Sequence, residues 1–229
     1  MSELVRMRWM WGLALVGVVA LGAGRLTAEE VAETKEAAEE EGWISLFNGK
    51  DLTGWEANEN PETFKVVDGE LIVNGDRAHL FYTGDVCDHD FTNFEWKCEI
   101  MTKPKSNSGM YFHTKFQESG WPEKGYEVQV NCSHGDNKKS GGLYAVEDVL
   151  DKAPHKDNEW FTQHVIVKGN HVVIKVNGEV TCDYTEPEDV ERPNGFKGRV
   201  LSSGTFAIQG HDPGSEVHFR KILVKPLDE

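Results

Sequence analysis

The stretch from Gly109 to Asn131, GMYFHTKFQESGWPEKGYEVQVN, alternates twice with a period of two. Met110, Phe112 and Phe116 interleave with Tyr111, His113 and Lys115; Tyr126, Val128 and Val130 interleave with Glu127, Gln129 and Asn131. Alternate side chains of a strand point to opposite faces, so this period predicts two antiparallel strands joined by a loop. One face is apolar and belongs in a core. The other carries His, Lys, Glu, Gln and Asn, where a merely solvated face needs only Thr, Ser and Lys.

The same texture runs outward in both directions. From Trp43 onward, short runs of β-branched and aromatic residues are punctuated by Gly, Asn and Asp, with no sustained helical period. Asp68-Gly69, Gly169-Asn170 and Asn177-Gly178 each sit between alternating runs and predict tight hairpins. Further strands are expected at NFEWKCEIM (93–101), TFAIQG (205–210) and VHFRKILVKP (217–226), which brings the count above ten. So many antiparallel strands must stack in two layers or close their edges, which predicts an all-β, two-sheet jelly-roll sandwich with a concave binding face.

Residues 1–28 place Arg6 and Arg8 before an apolar run from Trp9 to about Ala23 and small residues up to Ala28. A run of roughly 15 apolar residues is short for a bilayer span, so the segment reads as a signal peptide, and the mature chain is expected to be secreted or periplasmic and not membrane-held. Residues 29–42, rich in Glu and Ala, read as a linker, and 43–229 as the domain. The 229 residues carry a formal charge of -15, which argues against nucleic acid as a partner, because Lys and Arg supply that affinity. Cys87, Cys98, Cys132 and Cys182 could form two disulfides in any of three pairings or remain free thiols.

The pieces LFNGKDLTGWE, NSGMYFH, GYEVQV, EWFTQHVIVKGNHVVIKVNG and FAIQGHD…VHFRKILVK, in this order from about Trp43 to Lys225, resemble the 3-keto-disaccharide hydrolase domain family. The resemblance implies a concanavalin A-like jelly roll, export, and an enzyme acting on glycosides whose C3 hydroxyl has been oxidised to a ketone. Such a ketone acidifies the C2 hydrogen, so a base can form an enolate that expels the C1 oxygen. The reaction needs a base near C2, a donor at the enolate oxygen and an acid for the departing oxygen. A lectin-like module without catalysis is the alternative, and would be expected to offer mainly aromatic platforms and neutral amides.

Glu127, mid-strand among core residues, is the leading acid–base candidate, and His211, where the IQGHD strand meets a loop, is the second. His113 and Lys115 on the neighbouring strand are expected to support the enolate oxygen. Tyr111, Gln129, Asn131 and Gln209 suit sugar hydroxyls, and Trp121, Lys138 and Tyr144 are expected to close one end of the trough. A divalent metal held by some of His113, Glu127 and His211 would be a sensible enolate stabiliser. Their spacing matches no metal motif, and no cofactor is expected.

Overall fold

The computed structural model describes residues 42–228. The leader and nearly all of the linker expected at 1–42 lie outside the described residues. Within them the strands are β1 Ile44–Ser45, β2 Trp55–Ala57, β3 Phe64–Val67, β4 Glu70–Val73, β5 Ala78–Tyr82, β6 Phe94–Thr102, β7 Asn107–Thr114, β8 Tyr126–Asn131, β9 Lys138–Leu143, β10 Glu147–Leu150, β11 Phe161–Lys168, β12 His171–Val176, β13 Glu179–Thr185, β14 Thr205–Gly210 and β15 Val217–Pro226. An eight-stranded sheet runs β13-β12-β11-β6-β15-β4-β3 with β1 on β15, and a seven-stranded sheet runs β10-β9-β8-β7-β14-β5-β2. The pairings between named strands are antiparallel, and the fold is the two-sheet jelly roll that the alternation predicts.

The hairpin dipeptides do what their chemistry allows. Asp68 and Gly69 take φ of 49° and 84°, and Asn177 and Gly178 take 51° and 86°, the paired positive values of a type I′ turn. Between the sheets, Met110, Phe112, Tyr126, Val128, Val130, Leu80, Phe206 and Ile208 from the smaller sheet meet Trp96, Ile100, Val165, Ile174, Phe219 and Val224 from the larger. Trp96 stacks on Phe206 with ring centroids 4.4 Å apart. The four cysteines are free, and Cys98 and Cys182 are part of this core.

β7 and β8 pair as expected, with Tyr111 opposite Glu127, Gly109 opposite Gln129 and Asn107 opposite Asn131. Because Met110, Phe112, Val128 and Val130 are in the core, Tyr111, Glu127 and Gln129 stand on the outer face of the smaller sheet. The alternation fails at one place. Thr205 pairs with Thr114 but Ala207 pairs with Tyr111, so β7 carries an extra residue there, and His113 takes φ of 54°.

This bulge corrects the expectation for three residues. His113 turns inward and is 1 % exposed, its ring lying between Phe94 and Phe112. Its Nε2 donates to the Thr92 carbonyl at 2.9 Å and its Nδ1 accepts from the Ser202 amide at 3.2 Å, so both nitrogens of a neutral ring are satisfied. Lys115 falls beyond the strand and is exposed. Phe116 leaves the core pattern and packs with Phe81, Tyr111 and Ala207 on the outer face. Gly125 and Gly204 make room for the bulge, since a Cβ on either would stand 2.2 Å from a carbonyl oxygen of Phe112 or Thr114.

Two outcomes test this packing. Val128→Asp should cost more than about 4 kcal/mol in a denaturant melt, because it puts an unpaired charge into the core; an unchanged midpoint would mean that Val128 faces outward. Burial also holds the His113 imidazole down to about 4. Its pKa is below that of the unfolded chain, near 6.5, so the unfolded state binds the extra proton and stability falls as pH drops from about 6.5 to about 4. An NMR titration should find His113 neutral at pH 5.5, and titration near 6.5 would contradict the inward placement.

Candidate active site

Loops turn the outer face of the smaller sheet into a cavity of about 480 Å³. Its floor is Asn107, Tyr111, Glu127, Gln129 and Gln209, contributed by β7, β8 and β14. Its walls are residues 117–123, which carry Trp121, and residues 195–199, which carry Phe196 and Arg199; Asp136, Tyr144 and His211 complete the rim.

Glu127 is 5 % exposed yet fully partnered. Its Oε2 accepts from Arg199 Nη2 at 3.1 Å and its Oε1 from Gln209 Nε2 at 3.2 Å. The same Gln209 nitrogen lies 3.0 Å from the Tyr111 hydroxyl. Burial first, and the neighbouring Glu127 charge second, hold the Tyr111 phenol well above its usual range, so it stays protonated as a donor. The contact between Glu127 and Gln209 passes over Gly109 on the intervening strand. A Cβ there would stand 2.7 Å from Glu127 Oε1 and 3.2 Å from Gln209 Nε2.

Arg199 is a cavity-lining residue that strand periodicity could not reveal, since it lies in an irregular segment 72 positions from Glu127. Its Nη1 donates to the Tyr144 carbonyl at 2.7 Å, and its guanidinium stands over the Tyr144 and Phe196 rings at 5.1 and 4.8 Å. Arg192 fixes that segment: its Nε donates to the Arg199 carbonyl at 2.8 Å, and its Nη2 to the hydroxyls of Tyr126 and Tyr184. Glu186 accepts from the Tyr126 hydroxyl and the Leu201 amide.

At the other end, His211 Nδ1 lies 2.6 Å from Asp212 Oδ2, and that carboxylate also accepts from Ser215 Oγ and the Gly214 amide. Burial raises the Asp212 carboxyl, but these hydrogen bonds outweigh it and leave it below the usual range. An ionised Asp212 fixes the proton of a neutral His211 on Nδ1 and leaves the Nε2 lone pair free. Trp121, 44 % exposed, packs against His211 on one side and His79 on the other, each with ring centroids 5.5 Å apart. His79 is wholly buried beneath it; its ring nitrogens have no hydrogen-bond partner among the described residues, and burial holds its pKa down to about 3.

The sequence expectations therefore divide. Glu127, Gln129, Gln209, Tyr111, Tyr144, Trp121 and His211 line one cavity, whereas His113 and Lys115 do not. Asn131 spends its amide on the carbonyls of Asp136 and Lys138, and so builds the β8–β9 loop. Lys138 pairs with Asp148 at 2.6 Å behind the Tyr144 ring. Of the three residues considered for a divalent metal, Glu127 and His211 line the cavity and His113 does not. His134, His211 and Asp212 bring one ligand atom each within 4.8 Å of one another, but Asp212 is engaged as a hydrogen-bond acceptor for His211, Ser215 and Gly214.

Comparison with known proteins agrees with this architecture. A 3-keto-disaccharide hydrolase of Bacteroides thetaiotaomicron is 25 % identical over 249 aligned positions, covering 89 % of this chain and 84 % of the relative. A crystal structure from Parabacteroides distasonis, named a candidate glycosyl hydrolase, superposes with a TM-score of 0.71 at 24 % identity, over 84 % of this chain and 97 % of that one. A family 66 carbohydrate-binding module of Bacillus subtilis shares the fold, with a TM-score of 0.55 at 14 % identity over 75 % and 95 % of the two chains. The model of the 3-keto-alpha-glucoside-1,2-lyase-like domain matches residues 42–225, and the chain belongs to that family.

Proposed function

We propose that this protein cleaves the glycosidic bond of 3-keto-glycosides, with His211 as the base that removes the C2 proton. The observation that carries this reading is the His211–Asp212 pair at the rim of a cavity whose floor is a fully partnered carboxylate. The name of the Bacteroides relative and the description of the family point to the same substrate class.

In this mechanism the keto-sugar lies on the Trp121 ring, which offers an apolar surface to a pyranose face. His211 Nε2 takes the C2 proton, and the C2–H electrons move onto the C3 oxygen as an enolate. The ionised Asp212 stabilises the imidazolium that forms. Collapse of the enolate restores the C3 ketone, creates a C1–C2 double bond and breaks the C1–O bond; the departing oxygen takes the proton that His211 carries. Addition of water across the new double bond would complete a net hydrolysis. No oxocarbenium ion is formed, so the paired carboxylates of ordinary glycosidases are not required.

Glu127, Arg199, Gln209 and Tyr111 act in this reading as the binding floor. Glu127 is an acceptor already aligned by the Arg199 and Gln209 side chains, and it can exchange one of those bonds for a sugar hydroxyl. The leader-like composition of residues 1–28 supports a reaction outside the cytoplasm.

The test is an assay of the wild-type chain and of His211→Ala on matched 3-keto-glycosides and their unoxidised parents. Wild type should cleave only the oxidised set, and His211→Ala should lose about 10²–10⁴-fold in kcat without a change in melting temperature. Equal cleavage of both sets would exclude enolate chemistry, and binding of both without cleavage would restore the lectin alternative.

A further inference from the structure

Enolate chemistry needs a donor at the C3 oxygen. His113 has both ring nitrogens engaged in the interior, Lys115 is exposed beyond the strand, and Arg199 is committed to Glu127 and the Tyr144 carbonyl. One polar ring beside His211 has no role in proton abstraction or in the binding floor. His134, in the β8–β9 loop, stands with its ring centroid 5.4 Å from that of His211 and the two planes at 63°.

The loop is built to hold this ring. Asn131 Oδ1 accepts from the His134 amide at 2.9 Å, and Lys139 Nζ donates to the carbonyls of His134 and Asp136 at 3.0 and 2.7 Å. The Asp136 backbone amide donates to His134 Nδ1 at 3.1 Å, and the Asn107 side-chain amide lies 3.4 Å from the same nitrogen. A backbone N–H cannot be reversed, so His134 Nδ1 is an acceptor whichever way the Asn107 amide is turned. A neutral imidazole that accepts at Nδ1 carries its proton on Nε2. His211 is held in the opposite tautomer by Asp212. His134 itself touches three residues that line the cavity, His211, Asp136 and Asn107, so a ring with a free lone pair and a ring with a free N–H are neighbours at its rim.

We propose that His134 is the electrophile of this site, a neutral imidazole whose Nε2–H hydrogen-bonds to the C3 oxygen while His211 takes the C2 proton. This role rests on the enolate mechanism. The C2 hydrogen and the C3 oxygen belong to neighbouring atoms of one ring, a separation that two adjacent imidazoles can serve together. No proton leaves His134; the enolate oxygen gains a hydrogen bond, and the transferred proton stays with His211 until the C1 oxygen departs. Enolising enzymes are known to use a neutral imidazole in this way, with a backbone dipole keeping the ring uncharged. Burial first, then His211 and Lys139, lower the His134 pKa against the opposing pull of Asp212 and Asp136, in keeping with a neutral ring at pH 7.

The test combines a spectrum with kinetics. Long-range ¹H–¹⁵N correlation on the histidine-labelled full chain at pH 7 should show His134 neutral with its proton on Nε2, and His211 with its proton on Nδ1 when neutral. A His134 imidazolium, or its Nδ1–H tautomer, overturns the assignment. On a 3-keto-glycoside, His134→Ala should lose about 10²–10³-fold in kcat, as for removal of one preorganised donor, with little change in KM. His134→Gln, which can present an N–H, should recover part of the loss. Unchanged kcat in an active His134→Ala chain overturns the role of His134 alone, and a wild type inert to every 3-keto-glycoside overturns the enolate mechanism together with it. Joint shifts of both rings on adding Zn²⁺, with a gain in activity, would make the pair a metal site and also overturn the proposal.

Discussion

The buried carboxylate of Glu127 sets the terms for the rest of this face. A charge that is 5 % exposed on a sheet is tolerable only if donors meet it, and here Arg199 and Gln209 do so from two different segments. Satisfying it dictates glycine at position 109, because a side chain there would occupy the line between Glu127 and Gln209. It also dictates the course of residues 187–204, which must carry Arg199 across from β13 to the cavity. The Glu186–Arg192–Tyr126–Tyr184 cluster is the anchor for that crossing. The residue beside Glu127 in β8 thus anchors, on the inner side, the segment whose arginine reaches Glu127 on the outer side.

The two ends of the cavity then differ in chemistry for reasons that are structural. The Arg199 end is cationic and aromatic, and its side chains are already bonded to one another. The His211 end carries two neighbouring imidazoles, one bonded to a carboxylate and one to a backbone amide, beside an exposed indole. In the proposed mechanism, a floor whose side chains already bond one another holds the sugar while the rim moves one hydrogen.

Much of this is legible in the sequence because a period of two survives wherever strands are regular. Met110, Val128 and Val130 point inward and Tyr111, Glu127 and Gln129 outward, as alternation requires, and the Asp68-Gly69 and Asn177-Gly178 turns carry their own geometry. Alternation misleads at His113 because one extra residue in β7 reverses the parity of the residues after it. The nearest signal is the pair Gly125 and Gly204, whose small size allows backbone to crowd against residues 112–114. Asn131 has the chemistry of a sugar ligand, but its amide is consumed by the loop it begins, which side-chain type alone does not distinguish. Arg199 and His134 lie in irregular segments, where position in space is set by hydrogen bonds to distant residues rather than by any repeat.

Enolate cleavage differs from ordinary glycoside hydrolysis in one event, the departure of the C2 hydrogen as a proton during bond cleavage. That event is measured by comparing, under single-turnover conditions, a 3-keto-glycoside carrying hydrogen at C2 with the same compound carrying deuterium there. Abstraction by His211 predicts slower cleavage of the deuterated substrate. Equal rates, together with slowing when deuterium is placed at C1, would contradict it and indicate rupture through an oxocarbenium-like state instead.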